Sequence, residues 1–187
     1  MVQNLKIIRS DRKTISLEIT LTGDVLVRAP RHVSEAEIRR FVESKSSWLA
    51  KHLQRKEKDM ESLQEEGAFT DREMKRLVEL SKQIIPEKVA YYARLMGVTY
   101  GRITIRNQKT RWGSCSREGN LNFNCLLMMA PPEVLDYVVV HELSHRLEMN
   151  HSAMFWAQVE KVIPDYREKR KWLKEHGGRL MMRMCEG

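Results

Sequence analysis

Cysteine is scarce in this chain, and what there is forms no pattern. Three residues of 187, Cys115, Cys125 and Cys185, carry thiols, and no Cys-x-x-Cys spacing occurs. An odd, scattered set excludes a disulfide framework and a cysteine-ligated zinc finger. Long apolar runs are missing as well, and none reaches the roughly 18 residues that a membrane-spanning helix needs. The first residues, MVQNLKIIRS, contain no apolar leader. The expectation is a soluble, cytoplasmic protein with no membrane partner. Internal repeats are also absent. The length suits one compact domain overall, with room for a small appendage.

Charge is present in excess, at +8. It comes in local groups, at Arg28 and Arg31, Arg39 and Arg40, and residues 167–174. No DNA- or RNA-binding motif accompanies them, so solvated helix faces are the expectation. Nucleic acid is permitted as a partner but indicated by nothing specific.

The pattern mixes strands and helices. Residues 6–9, 14–20 and 24–29 read as strands, with Ile15, Leu17, Ile19 and Leu21 alternating with polar residues as on a half-buried strand. Gly23 and Asp24 suit a hairpin turn. Ser34 with Glu37 forms a capping box for a helix whose apolar positions run to Leu53. Residues 54–70 are charged and suit a solvated helical connector. Asp71 is placed to cap a helix that runs, interrupted at Pro86, to Met96, and Gly97 stops it. Residues 100–107 and the two sides of Glu118–Gly119–Asn120 read as further strands. Pro132 opens a helix apolar on most sides, Ser152 caps another over 153–162, and a basic helix covers 165–176. The tail beyond it is uninformative.

Within the apolar helix stands HELSH, residues 141–145. Positions i and i+4 lie on one helical face, so His141 and His145 can both reach one ion at about 2.0–2.1 Å. Glu142 is rotated from His141 by about 100°. It can reach a water beside the ion and act as its base. A catalytic zinc needs a third protein ligand and an open position. From His145 to His151 a continuous helix would turn by about 600°, which points His151 away. A stop near Asn150 would let it swing back. Glu160, one helix further on, is the other candidate. Burying two histidines and a carboxylate on an apolar helix is costly unless they are paired or bound to metal.

The segments RKTISLEITLTGDVLVRAP, SSWL, TRWGSCS, DYVVVHELSH, NHSAMFW and PDYREKRKWL together resemble the YgjP-like metallopeptidases. That family is itself related to the SprT-like zinc proteases. The resemblance implies an α+β fold: a zincin-like half with a small antiparallel sheet beside the HExxH helix, and an N-terminal β-hairpin and helix unit. It implies residues 1–55 as the N-terminal unit, 56–70 as connector and 71–187 as the catalytic region. It implies Zn2+ as cofactor and His151, rather than Glu160, as third ligand.

Further roles follow from the zincin comparison. An edge strand above the metal pairs with an extended substrate in such folds. Trp112, Gly113, Ser114 and Asn124 are therefore candidate substrate-binding residues. Tyr166 is a candidate oxyanion stabiliser, with Arg111 as another residue for that work. Phe155 and Trp156 read as packing beneath the cleft. The expected function is zinc-dependent hydrolysis of a peptide or protein substrate, with Glu142 as general base. A DNA-associated protease or accessory protein, and a non-enzymatic zinc-stabilised fold, are the alternatives.

Overall fold

The computed structural model describes residues 5–20 and 23–184. Leu21, of the alternating strand, and Cys185 lie outside them. The chain divides into two compact units, Met1–Glu66 and Gly67–Gly187.

The N-terminal unit holds β1 (Leu5–Ser10), β2 (Ser16–Ile19), β3 (Val25–Pro30), α1 (Glu35–Ser44) and α2 (Ser46–Glu66). β2 and β3 form the expected antiparallel pair, with Ile19 opposite Val25. The turn between them has Gly23 at φ 87°, a left-handed conformation that only glycine adopts cheaply. β1 adds to the far side of β3 in parallel. β3 is thus the central strand, and Val25, Leu26 and Val27 are all buried, as a near-continuous apolar run requires. Ile38, Val42 and Leu49 complete this core. The Ser34–Glu37 capping box forms as expected. The helix expected to run through to Leu53 is two helices instead, because Lys45 leaves helical geometry at φ −108° and ψ 13°. The charged stretch up to Glu66 continues α2.

The second unit holds α3 (Asp71–Met96), β4 (Ile103–Arg106), β5 (Gly113–Cys115), β6 (Leu121–Asn124), a 3-10 turn (Cys125–Met129), α4 (Pro132–Ser144), α5 (Ala153–Val162) and α6 (Tyr166–Met182). Thr70, not Asp71, caps α3, through a box with Glu73. α3 passes through Pro86 without ending, and Gly97 closes it in the left-handed region.

The three strands run in the order β4-β6-β5. β5 is antiparallel to β6, but β4 is parallel to it. The sheet is therefore mixed, not wholly antiparallel. The chain gets from β4 to β6 by way of the outer strand β5, so β4 and β6 share a direction. α4 packs on this sheet and on α3, and is buried on nearly every side. α6 extends past its expected end at His176. A Cβ on Gly177 would lie 2.8 Å from Trp112 Cζ2. The glycine allows that close approach and does not break the helix. Leu180, Met181 and Met182 are buried beyond it, so this stretch of the helix docks. Among the described residues, no helix is long and apolar enough to cross a membrane.

Candidate metal centre and cleft

α4 ends at Ser144, and His145 sits at its C-cap. The chain turns over residues 146–151 before Ser152 caps α5 by accepting from Phe155 N. The helix therefore stops well before Asn150. This early stop swings His151 back toward α4. The ligand nitrogens of His141, His145 and His151 all lie within 4.8 Å of one another. His141 Nε2 and His151 Nε2 face each other at 3.1 Å. Ring centroids are 5.2 Å apart for His141 and His145, 5.0 Å for His141 and His151, and 4.9 Å for His145 and His151. Phe155, fully buried, touches all three rings at 4.6 to 4.9 Å and forms their floor. Trp156 stacks on His151 at 5.7 Å. Both aromatics thus pack beneath the histidines, as expected.

The donor set fits a metal ion. His145 Nδ1 donates to Glu148 O at 3.2 Å, which leaves Nε2 as its free electron pair. His141 Nδ1 is buried without a hydrogen-bond partner. Burial pushes His141 down to about 3, helped by the neighbouring His145 and His151. Burial also lowers His145. Neutral imidazoles with converging nitrogens are the form that binds a metal. Glu160 is not in the group; its carboxylate pairs with Arg167 at 2.5 Å.

Glu142 is 5% exposed, and burial pushes it up to about 8. It lies directly against β5: a Cβ on Gly113 would come within 2.6 Å of Glu142 Oε1. A separation under 3.0 Å forces a shift, so Gly113→Ala should displace the carboxylate. The expected outcome is roughly a tenfold or greater loss of kcat with metal content unchanged, measured by steady-state kinetics and elemental analysis.

A cleft of about 280 Å³ opens here. Thr110, Arg111, Trp112 and Gly113 line one part, and Leu173 of α6 another. Tyr137, Val138, His141 and Glu142 form its base. A larger hollow of about 690 Å³ lies in the N-terminal unit, lined mainly by apolar residues such as Val42, Leu49 and Leu53. Among the described residues it holds no cluster of ligating side chains, so the chemistry points to the smaller cleft.

The other expected site residues divide. Trp112 and Gly113 line the cleft. Ser114 accepts from Asn122 Nδ2 at 3.1 Å. Asn124 is buried, and its side chain is fully used: Nδ2 donates to Gln108 O and Arg111 O, and Oδ1 accepts from Leu126 N. It shapes the loop and offers nothing to a substrate. Tyr166 is buried in a stack between Trp156 at 5.2 Å and Tyr137 at 6.4 Å, and it does not line the cleft.

Tyr137 does line it, and sequence reasoning missed it. It stands four residues before His141, on the same face of α4, with ring centroids 5.8 Å apart. Its hydroxyl makes no hydrogen bond among the described residues. Burial pushes it up to about 12, so it stays a donor. The i−4 spacing from the first histidine was the available signal.

No match is found among curated proteins. Two solved structures are similar. One is the metallopeptidase zymogen abylysin of Pyrococcus abyssi: 24% identical, TM-score 0.44, covering 49% of this chain and 94% of that one. The other is the metallopeptidase zymogen jannalysin of Methanocaldococcus jannaschii: 20% identical, TM-score 0.41, covering 48% of this chain and 95% of that one. The model of the YgjP-like metallopeptidase domain matches residues 13–79 and 73–176. That span takes in both units, the histidine group and the cleft, and the chain belongs to the YgjP-like metallopeptidase family.

Proposed function

We propose that the second unit is a zinc-dependent peptidase whose metal is held by His141, His145 and His151. The observation that carries this reading is the convergence of three imidazole nitrogens beside a buried carboxylate that faces a cleft. Bound zinc supplies Lewis acidity there, making its water a better nucleophile and polarising the scissile carbonyl. Glu142 takes a proton from the attacking water as the new C–O bond forms. It returns that proton to the leaving amine as the C–N bond breaks. The raised proton affinity of Glu142 suits both transfers. Gly113 leaves room for the carboxylate at the cleft floor.

Tyr137 takes the role that the sequence pointed to in Tyr166. Tyr137 lines the cleft beside His141 and Glu142, and its hydroxyl, kept protonated by burial, is the donor we assign to the oxygen that gains charge. Tyr137→Phe should lower kcat by roughly 10- to 100-fold and leave KM and zinc content near wild type. Tyr166→Phe should change kcat by less than about threefold. Equal losses in the two variants would return the role to Tyr166.

A purely structural zinc needs a closed, four-ligand site. The group has three members among the described residues, and Glu142 has no purpose in a structural site. Nothing in the cleft calls for nucleic acid.

A further inference from the structure

We propose that the cleft selects peptides carrying a carboxylate near the scissile bond, with Arg111 and Arg170 as the selecting side chains. This deepens the peptidase reading and rests on it.

Arg111 lines the cleft beside Trp112 and Gly113. Its backbone is pinned, since its carbonyl accepts from the buried Asn124 at 2.9 Å. Its side chain is exposed, and no ion pair or hydrogen bond occupies the guanidinium among the described residues. The chain from Tyr100 to Arg117 contains Arg102, Arg106, Lys109 and Arg111 and not one carboxylate.

Arg170 stands on α6, three residues before Leu173, the residue of α6 that lines the cleft; that spacing keeps both on one helical face. Its neighbours are committed: Arg167 pairs with Glu160, and Lys169 pairs with Asp165. Arg170 has no such partner among the described residues. It lies 4.6 Å over the ring of Trp156, and Trp156 stacks on His151. A guanidinium resting on an indole face keeps its N–H edges free for a planar, two-pronged acceptor such as a carboxylate. Its charge is felt at both Tyr137 and His141.

No acid in the cleft competes for these cations. Glu142 is the one carboxylate among the lining residues, and it is buried. Glu148 accepts from Asn150 N instead. An incoming acidic peptide therefore meets Arg111 in the cleft lining and Arg170 over Trp156, beside the histidine group, neither of them paired among the described residues. Such groups raise encounter rate and fix register.

The test uses zinc-loaded full-length protein and blocked peptides that differ only in Asp/Glu against Asn/Gln around the cleavage site. A second pair of neutral peptides has a free or an amidated C-terminus. This separates side-chain carboxylates from the chain end. Affinity is measured on zinc-loaded Glu142→Gln and turnover on wild type. The expected preference for the carboxylate peptide is roughly five- to twentyfold at low salt. It should shrink to under about threefold at about 0.5 M salt. In Arg111→Gln/Arg170→Gln the ratio should fall to within about twofold, with the melting temperature close to wild type. A ratio near one in wild type, or a preference that survives the double variant, overturns the inference. So does a double variant that loses retention on duplex DNA while its peptide ratio stays unchanged. Tighter binding of acidic peptides without any turnover leaves this inference standing and overturns the peptidase reading.

Discussion

Glu142→Gln should abolish turnover without disturbing the metal: zinc content stays near wild type, and kcat/KM falls by roughly a thousandfold. Glutamine has nearly the same shape, so it fills the same space against Gly113. It cannot accept a proton from water. The metal-free protein should show an opposite effect on stability. Burial holds Glu142 near 8, against 4.5 when unfolded. Between those values the folded state binds the proton that the unfolded state has released. Stability therefore falls as pH rises through the window from 4.5 to about 8. A neutral glutamine removes that loss. Metal-free Glu142→Gln should thus melt at a higher temperature than metal-free wild type at neutral pH. Lost activity with gained stability is the pattern of a residue kept for chemistry. A variant that loses activity and stability together would mark Glu142 as a packing residue.

The parts of this site that were legible in the sequence are those set by helical periodicity. His141, Glu142 and His145 needed only the 3.6-residue repeat and the apolar run from Val134 to Leu143. Ser34, Ser152 and Gly97 were legible because caps use local chemistry. His151 was not a matter of period. The bend that returns it depends on six residues with no repeat, and the residues alone left Glu160 open; the family likeness settled the expectation. Tyr137 lay on the helix already identified, but within an apolar stripe a tyrosine reads as core. Sequence nearness to the metal helices does not reveal which way the ring of Tyr166 faces; here it faces Trp156 and Tyr137. Asn124 ends a strand, and its amide folds back to cap the following turn, which alternation alone does not foretell. Strand direction was equally hidden. Ile103 and Ile105 look the same in a parallel or an antiparallel pair.

Removing the histidines should remove the metal, and the loss should be legible in stability as well as in composition. Wild-type protein is expected to hold about one zinc per chain by elemental analysis, and His141→Ala/His145→Ala none. With free zinc at about a hundred times its dissociation constant, binding stabilises the folded state by about 2.7 kcal/mol. For a unit of this size that is a rise in melting temperature on the order of 10 °C. The double variant should show no rise at all. Its own metal-free melting temperature serves as the control for the space opened above Phe155, which touches both rings. Acid provides an independent check on His141. Burial holds it near 3, against 6.5 when unfolded. Its neutral form therefore costs the fold nothing above pH 6.5, and stability is lost as pH falls from 6.5 toward 3. The metal-free wild type should lose melting temperature across that window more steeply than metal-free His141→Ala. If zinc raises the melting temperature of the double variant as much as that of wild type, the ion binds elsewhere. The three imidazoles would then be neighbours in the core and not ligands.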